Sequence, residues 1–319
     1  MLAWVLRDFN PDDFFQTLAE ANYYFLIVLA ISIIFEQLIR AFKWSLILSP
    51  FCNTRIPALF GAIMVGYFSN YLAPLRISPI IRAVIIAKFQ KIRISTALAS
   101  IGVDRITDGF VFIVVSILTV YLINFPVQQD KIQLGIIAGT GISLIGFLFV
   151  LRLVHWMKNT FRKDEIPLLF IFRFLSERWK QRTIEFLKVF VESFVMPKRK
   201  NNILWIFISA VLIKLVAVSH FYWVGLSYKI SLEIWYYLFL MVFLGYLIIL
   251  VGVVRITGGF TAGVIFVLQN FGISTEEALA MTLTLFMISK LSVIICGTTS
   301  AAIMGLQFSS MRKMAVYRI

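Results

Sequence analysis

"YLAPLRISPIIRAVI", residues 71–85, interrupts a strongly apolar run with Pro74 and Pro79 and places Arg76 and Arg82 beside them. Pro74 cannot continue a helix that precedes it, whereas Pro79 suits the first turn of a helix that follows. The stretch therefore reads as one helix ending and another beginning, with charge at the joint. Whether that joint lies in water or in lipid decides the fold.

Composition answers for lipid. Of 319 residues, 60% are hydrophobic, 31 are Phe and only 14% are charged. Mean hydropathy is +0.91, and such usage lies far from that of soluble domains. Crossing about 30 Å of hydrocarbon takes about 20 apolar residues, and runs of that length predict spans at about 23–48, 94–123, 132–155, 201–227 and 274–307. Backbone groups in lipid must be satisfied internally, and the short alternating segments of a barrel are missing, so the expected fold is an all-α polytopic membrane protein. Residues 1–319 read as a single integral membrane domain. The first 22 residues carry Asp8, Asp12, Asp13 and Glu20 against Arg7, without the basic region and short apolar core of a signal peptide.

The formal charge of +14 comes from basic residues between spans, which points to anionic lipid headgroups rather than nucleic acid. Cys52 and Cys296 make no disulfide framework, and with His155 and His220 they offer no metal-ligand spacing. No cofactor is expected. A Gly-rich nucleotide loop and a Ser/His/Asp set are also missing, so an enzyme is not expected.

Two segments, 58–92 and 231–272, start apolar and break near their centres, at "PLRISP" and "VRITGG". Shifted by 179 residues, they agree at ten of 31 positions from 66 to 96, including Gly66/Gly245, Tyr67/Tyr246, Arg76/Arg255 and Ile77/Ile256. We read an internal repeat, one copy over about 58–123 and the other over about 231–307. Re-entrant hairpins would make the copies inverted; full crossings would make them parallel. Charge favours the first. Re-entry puts the basic segment 76–93, the basic linker at about 156–200 and the tail with Arg312, Lys313 and Arg318 on one side, as the positive-inside rule requires. The expected protein is a multi-pass cell-membrane protein with an outside N-terminus and a cytoplasmic C-terminus. Within the linker, 166–196 reads as an amphipathic surface helix with Leu168, Phe172, Leu175 and Trp179 on one stripe.

Candidate site residues cluster at the breaks. Ser78 is a good N-cap for a half-helix over about 79–90; Thr257 takes that place in the second copy, and Gly258 with Gly259 permits close approach to the backbone. Arg76 and Arg255 stand two residues ahead of these caps, so each copy would offer an arginine and a helix N-terminus to an anion such as phosphate. The alternative is that both arginines only pair with acids or reach an interface. Arg82 lacks a basic counterpart, because position 261 is Thr; it is a weaker candidate for substrate binding, with simply facing headgroups as the alternative. Asp104, Arg105 and Asp108 lie within one turn of the 94–123 span. They could neutralise one another, partner Arg76, contact substrate or relay a proton.

Lys290 inside the last span is assigned to the site, whereas Lys214 and His220 are assigned to structure. Glu36 and Arg40 form an i, i+4 pair, and Lys43 with Trp44 is read as an interfacial anchor. Ser274 and Glu277 fit a capping box, and Ser95 or Thr96 fits a cap on the corresponding helix.

The ordered motifs "RAFKW" (40–44), "NYLAPLRISPIIR" (70–82), "VDRITDG" (103–109), "TGGFTAG" (257–263) and "GISTEEALAMTLTLFMISK" (272–290) resemble the lysylphosphatidylglycerol synthase transmembrane-region family. That resemblance implies a flippase-type membrane protein; the best-known members move aminoacylated phosphatidylglycerol between leaflets, and others are linked to hopanoids or lipid-linked glycans. Asn70, Pro74, Arg76 and Arg82 fit the family pattern, as do Asp108 and the pair Gly258 and Gly259. Ser78 and Pro79 replace a Gly-Glu, Asp104 replaces a glutamate, and Lys290 replaces an arginine. A first span and a soluble aminoacyltransferase domain found in family members have no counterpart in these motifs.

The function expected is a lipid flippase or scramblase for an anionic or phosphate-bearing lipid. A membrane scaffold that presents lipid to a glycosyltransferase or aminoacyltransferase is the alternative. Expected partners are membrane lipids, with a lipid-modifying enzyme or a second copy as further possibilities.

Overall fold

The computed structural model describes residues 9–72, 77–122, 130–162, 177–254 and 259–305. Its eleven described helices are α1 (Pro11–Ala19), α2 (Tyr23–Leu48), α3 (Ile56–Leu72), α4 (Ser78–Gln90), α5 (Ile94–Leu122), α6 (Asp130–Arg162), α7 (Glu177–Glu192), α8 (Lys200–Ser227), α9 (Ile234–Val254), α10 (Gly259–Asn270) and α11 (Thr275–Ile303). No strand occurs among the described residues. Five helices, α2, α5, α6, α8 and α11, are long and apolar enough to cross a membrane. They are the five expected spans, and the protein is a multi-pass all-helical membrane protein.

The first predicted break falls between two short helices, and the second between α9, of 21 residues, and α10, of 12. α3 has 17 residues and α4 has 13; at about 1.5 Å per residue neither covers the hydrocarbon thickness alone. They pack on each other, and α9 packs on α10 in the same way. Two compact units emerge. One comprises Met1–Glu36, Phe112–Ile142 and Leu212–Ser292; the other comprises Gln37–Val111, Ser143–Val211 and Val293–Ile319. The pair α9–α10 belongs wholly to the first, and α3–α4 wholly to the second. Each of the five long helices contributes residues to both.

The first unit is built on Leu29, Val218, Tyr237, Phe239, Ile265 and Met281. Its helix ends are tied by polar contacts. The Ser274 N–H donates to Glu277 Oε2 at 3.1 Å and the Glu277 N–H to Ser274 Oγ at 3.2 Å, which is the expected capping box. Glu276 Oε1 accepts from the Asn10 N–H at 3.0 Å, which fixes the start of α1. Gly272 follows α10 at φ +80°, a left-handed backbone that favours glycine, and the Ile273 N–H then closes on the Leu268 carbonyl at 3.1 Å.

The second unit packs Trp44, Ile47, Leu59, Ile63, Ile81, Ile86 and Ile101. Here several expectations are corrected. Ser95 and Thr96 do not cap α5, which starts at Ile94; Thr96 instead shares a hydrogen bond of 3.0 Å with Ser193. α6 extends beyond the expected span to Arg162 because His155, Trp156 and Lys158 continue the helix. The amphipathic segment is described only over α7, Glu177–Glu192, with residues 163–176 outside the described part. Its end is pinned: Lys158 Nζ donates to the Phe194 carbonyl at 2.5 Å, and the Phe194 ring fills the space beside Gly102.

Candidate functional site

Arg40, Lys43 and Trp44 follow at i, i+3 and i+4 on α2, and therefore share one face. Asp104 and Asp108 do the same on α5. The two faces meet inside the second unit. Arg40 Nη1 lies 2.9 Å from Asp108 Oδ2, and Lys43 Nζ lies 2.5 Å from Asp108 Oδ1 and 3.0 Å from Asp104 Oδ1. Lys43 Nζ also donates to the Asp104 main-chain carbonyl at 3.1 Å, while Trp44 Nε1 donates to Ser100 Oγ at 2.9 Å.

Lys43 and Trp44 are completely buried, which overturns their reading as an interfacial anchor. A buried carboxylate is stable only when its charge is compensated, and the ammonium of Lys43 serves two of them. The acid cluster is neutralised from α2 rather than by its own arginine, because Arg105 points to the exposed face of α5. Asp104 remains incompletely satisfied. Lys43 approaches Oδ1 off the hydrogen-bond direction, and both Asp104 oxygens are buried without a hydrogen bond.

Arg82 is the larger surprise. Rather than facing headgroups, it is 0% exposed. Its Nε, Nη1 and Nη2 atoms have no hydrogen-bond partner. The guanidinium carbon lies 4.6 Å from the centroid of the Trp44 ring, a cation–π contact that covers one face and leaves the N–H edge free. Ser78, one helical turn earlier on α4, is also buried with an unpartnered Oγ. Gly66 on α3 makes room for both: a Cβ there would come within 2.5 Å of Arg82 Cγ and 3.0 Å of Ser78 Oγ.

Ser78 does not cap α4. The N-cap is Ile77, with φ −87° and ψ −1° and no side-chain hydrogen bond, and Pro79 stands in the first turn. The capping acceptor comes from the preceding helix, where Asn70 Oδ1 accepts from the Ser78 N–H at 3.0 Å. Asn70 thus closes the α3–α4 joint and releases the Ser78 hydroxyl.

Arg76, Arg255, Thr257 and Gly258 lie outside the described residues. Gly259 is buried at the start of α10. In the first unit, Lys290 is exposed with Nζ 5.6 Å from the Phe286 ring centroid, Lys214 Nζ lies 5.2 Å from that of Phe112, and buried His220 lies 3.9 Å from Glu36. The structure therefore gathers Asn70, Ser78, Arg82, Asp104 and Asp108 in one unit, and sets Arg105 outward. Sequence reasoning missed Lys43, Trp44 and Gly66. No cluster of metal-ligand residues occurs among the described residues.

A family model described as "Lysylphosphatidylglycerol synthase TM region" matches residues 1–297, nearly the whole chain. The chain belongs to that family. No curated protein and no solved structure matches it significantly. As a member of the lysylphosphatidylglycerol synthase transmembrane-region family, the protein is a membrane domain of a lipid-related group.

Proposed function

We propose that the protein is a lipid flippase or scramblase that moves an anionic or phosphate-bearing lipid between leaflets. The carrying observation is Arg82, a fully buried guanidinium with three unpartnered nitrogens in a lipid-related membrane domain. An arginine at the centre of a membrane helix costs about 2.5–3.5 kcal/mol on insertion scales, and leaving its donors unsatisfied adds to that cost. An anion bound at this guanidinium would offset both. A lipid headgroup is the anion a membrane supplies.

Helices α3, α4 and α10, each too short to span alone, support a further part of the reading. α3–α4 and α9–α10 act as re-entrant hairpins of two inverted repeats in a single membrane domain, and the basic 156–200 linker and the C-terminus face the cytoplasm of a cell-membrane protein. The lengths of α3, α4 and α10 favour re-entry, as does the containment of each pair in one compact unit. Arg76 and Arg255, with Thr257, Gly258, Gly259 and Lys290, are further headgroup contacts in this reading. Work of this kind requires no chemical step.

Purified protein in vesicles carrying a headgroup-labelled phosphatidylglycerol tests the proposal. Loss of label protection against a membrane-impermeant quencher should be fast with the wild type and slow with Arg76→Ala or Arg255→Ala. Transport no faster than in protein-free vesicles would defeat it; undiminished transport by both variants would remove these two arginines from the mechanism.

A further inference from the structure

We infer that a cavity between the end of α2 and the start of α8 binds a small, soluble organic phosphate; the site shares no lining residue with Arg82 and does not rest on the transport reading.

Residues 49–55 join α2 to α3, and residues 193–199 join α7 to α8. The two connectors meet in the second unit, where Asn202 Nδ2, in the first turn of α8, donates to Ser49 Oγ at 3.2 Å. Beside this contact lies a cavity of about 640 Å³. Sites for small molecules occupy about 300–1,000 Å³. The walls are connectors and helix ends rather than the middles of spans, so the cavity opens to water beside the membrane.

Its lining selects the ligand. Lys198 and Arg199 contribute two cations, and no residue of the lining is acidic. Asn53, Thr54 and Asn202 add hydrogen-bonding groups. Thr54 Oγ1 is buried without a hydrogen-bond partner, a costly state that a ligand oxygen relieves. A phosphomonoester brings about two negative charges and three strong acceptor oxygens, which matches the two cations and leaves oxygens for the hydroxyl and amide donors. A carboxylate brings half that charge. Leu46, Val195, Met196 and Pro197 make the rest of the lining apolar, and bare phosphate leaves that part empty. An organic substituent fills it.

The protein carries its own reporter of occupancy. Cys52 lines the same cavity, and the other free cysteine is Cys296 on α11. Full-length Cys296→Ala protein in phosphatidylcholine nanodiscs is alkylated at Cys52 with N-ethylmaleimide, and n-butyl phosphate is the probe. Burial pushes the Cys52 thiol up, so labelling is followed at about pH 8. We expect saturable protection, with alkylation slowed roughly tenfold at ten times the half-protecting concentration. Inorganic phosphate at matched ionic strength should protect only at higher concentration, and butyltrimethylammonium should not protect. Lys198 and Arg199 are exposed, so replacing both with Gln should leave the unfolding midpoint and the unliganded alkylation rate near those of the parent while abolishing protection.

A lipid headgroup carries the same phosphate chemistry, and phosphatidylglycerol nanodiscs separate the two sources. Cys52 that labels at the rate of the double variant until butyl phosphate is added supports a soluble ligand. Cys52 that is protected from the outset, and released in the double variant, assigns the cavity to lipid and overturns the inference. Absence of saturable protection, equal protection by butyltrimethylammonium, or protection that survives Lys198→Gln with Arg199→Gln would overturn it as well. Because occupancy is read at Cys52, a failure of lipid transport in vesicles would leave this result standing.

Discussion

Gly66 and Gly245, 179 residues apart, occupy corresponding places in α3 and α9 but face opposite chemistries. A Cβ on Gly66 would meet Arg82 and Ser78, whereas a Cβ on Gly245 would meet the Phe112 ring at 2.5 Å. The contrast extends to neighbouring helices. At the same offset, Arg82 corresponds to Thr261, Asp104 to Leu283 and Asp108 to Met287, while Trp44 corresponds to Trp223. Tyr246, the partner of Tyr67, uses its hydroxyl to donate to Thr140 at 3.0 Å and lies 5.1 Å from Phe112, centroid to centroid. A repeated sequence pattern thus carries buried charge in one place and aromatic packing in the other. Small residues keep the backbone close in both; what fills the space they leave differs.

The largest expected break in this comparison is Lys43→Met. It strands two buried carboxylates and should cost about 3–5 kcal/mol, read as a drop in the unfolding midpoint in detergent. Tyr222→Phe at the corresponding position should change it far less. Gly245→Ala should come next, at about 1–3 kcal/mol, because a ring in a packed core has little room to retreat. It should leave transport of labelled phosphatidylglycerol intact. Asn70→Ala removes the acceptor that closes the α3–α4 joint and should cost about 1 kcal/mol, with increased hydrogen exchange at the start of α4 as the local signature. Arg93→Ala is the smallest effect. Its 3.2 Å pair with Glu185 is 64% and 67% exposed, and such pairs contribute under about 1 kcal/mol.

Much of this architecture was legible because lipid leaves few choices. Apolar runs give the five long helices, and Pro74, Pro79 and the Gly258–Gly259 pair mark the breaks. The Ser274–Glu277 capping box was legible too, since both partners sit within one turn. The buried cluster was harder. Arg40, Lys43 and Trp44 have the spacing of one helix face, and so do Asp104 and Asp108, but only tertiary packing shows that the faces meet across 61 to 68 residues of chain. Lys43 beside Trp44 resembles an interfacial anchor in any sequence; full burial with two acids makes it something else. Arg82 was undervalued for a related reason. Matching residues 179 apart point to Arg76 and Arg255, whereas the unsatisfied guanidinium lies at a position where the two segments differ. Ser78 was misread because a local cap was assumed, and the capping acceptor belongs to the previous helix.

The most direct measurement compares Arg82→Gln with Thr261→Val in the same vesicle assay for labelled phosphatidylglycerol, each variant first matched to the wild type in unfolding midpoint. If the headgroup is held by the charge unique to the α3–α4 side, Arg82→Gln transport falls to the protein-free rate and Thr261→Val transport stays near that of the wild type. Equal rates for Arg82→Gln and wild type would contradict the account.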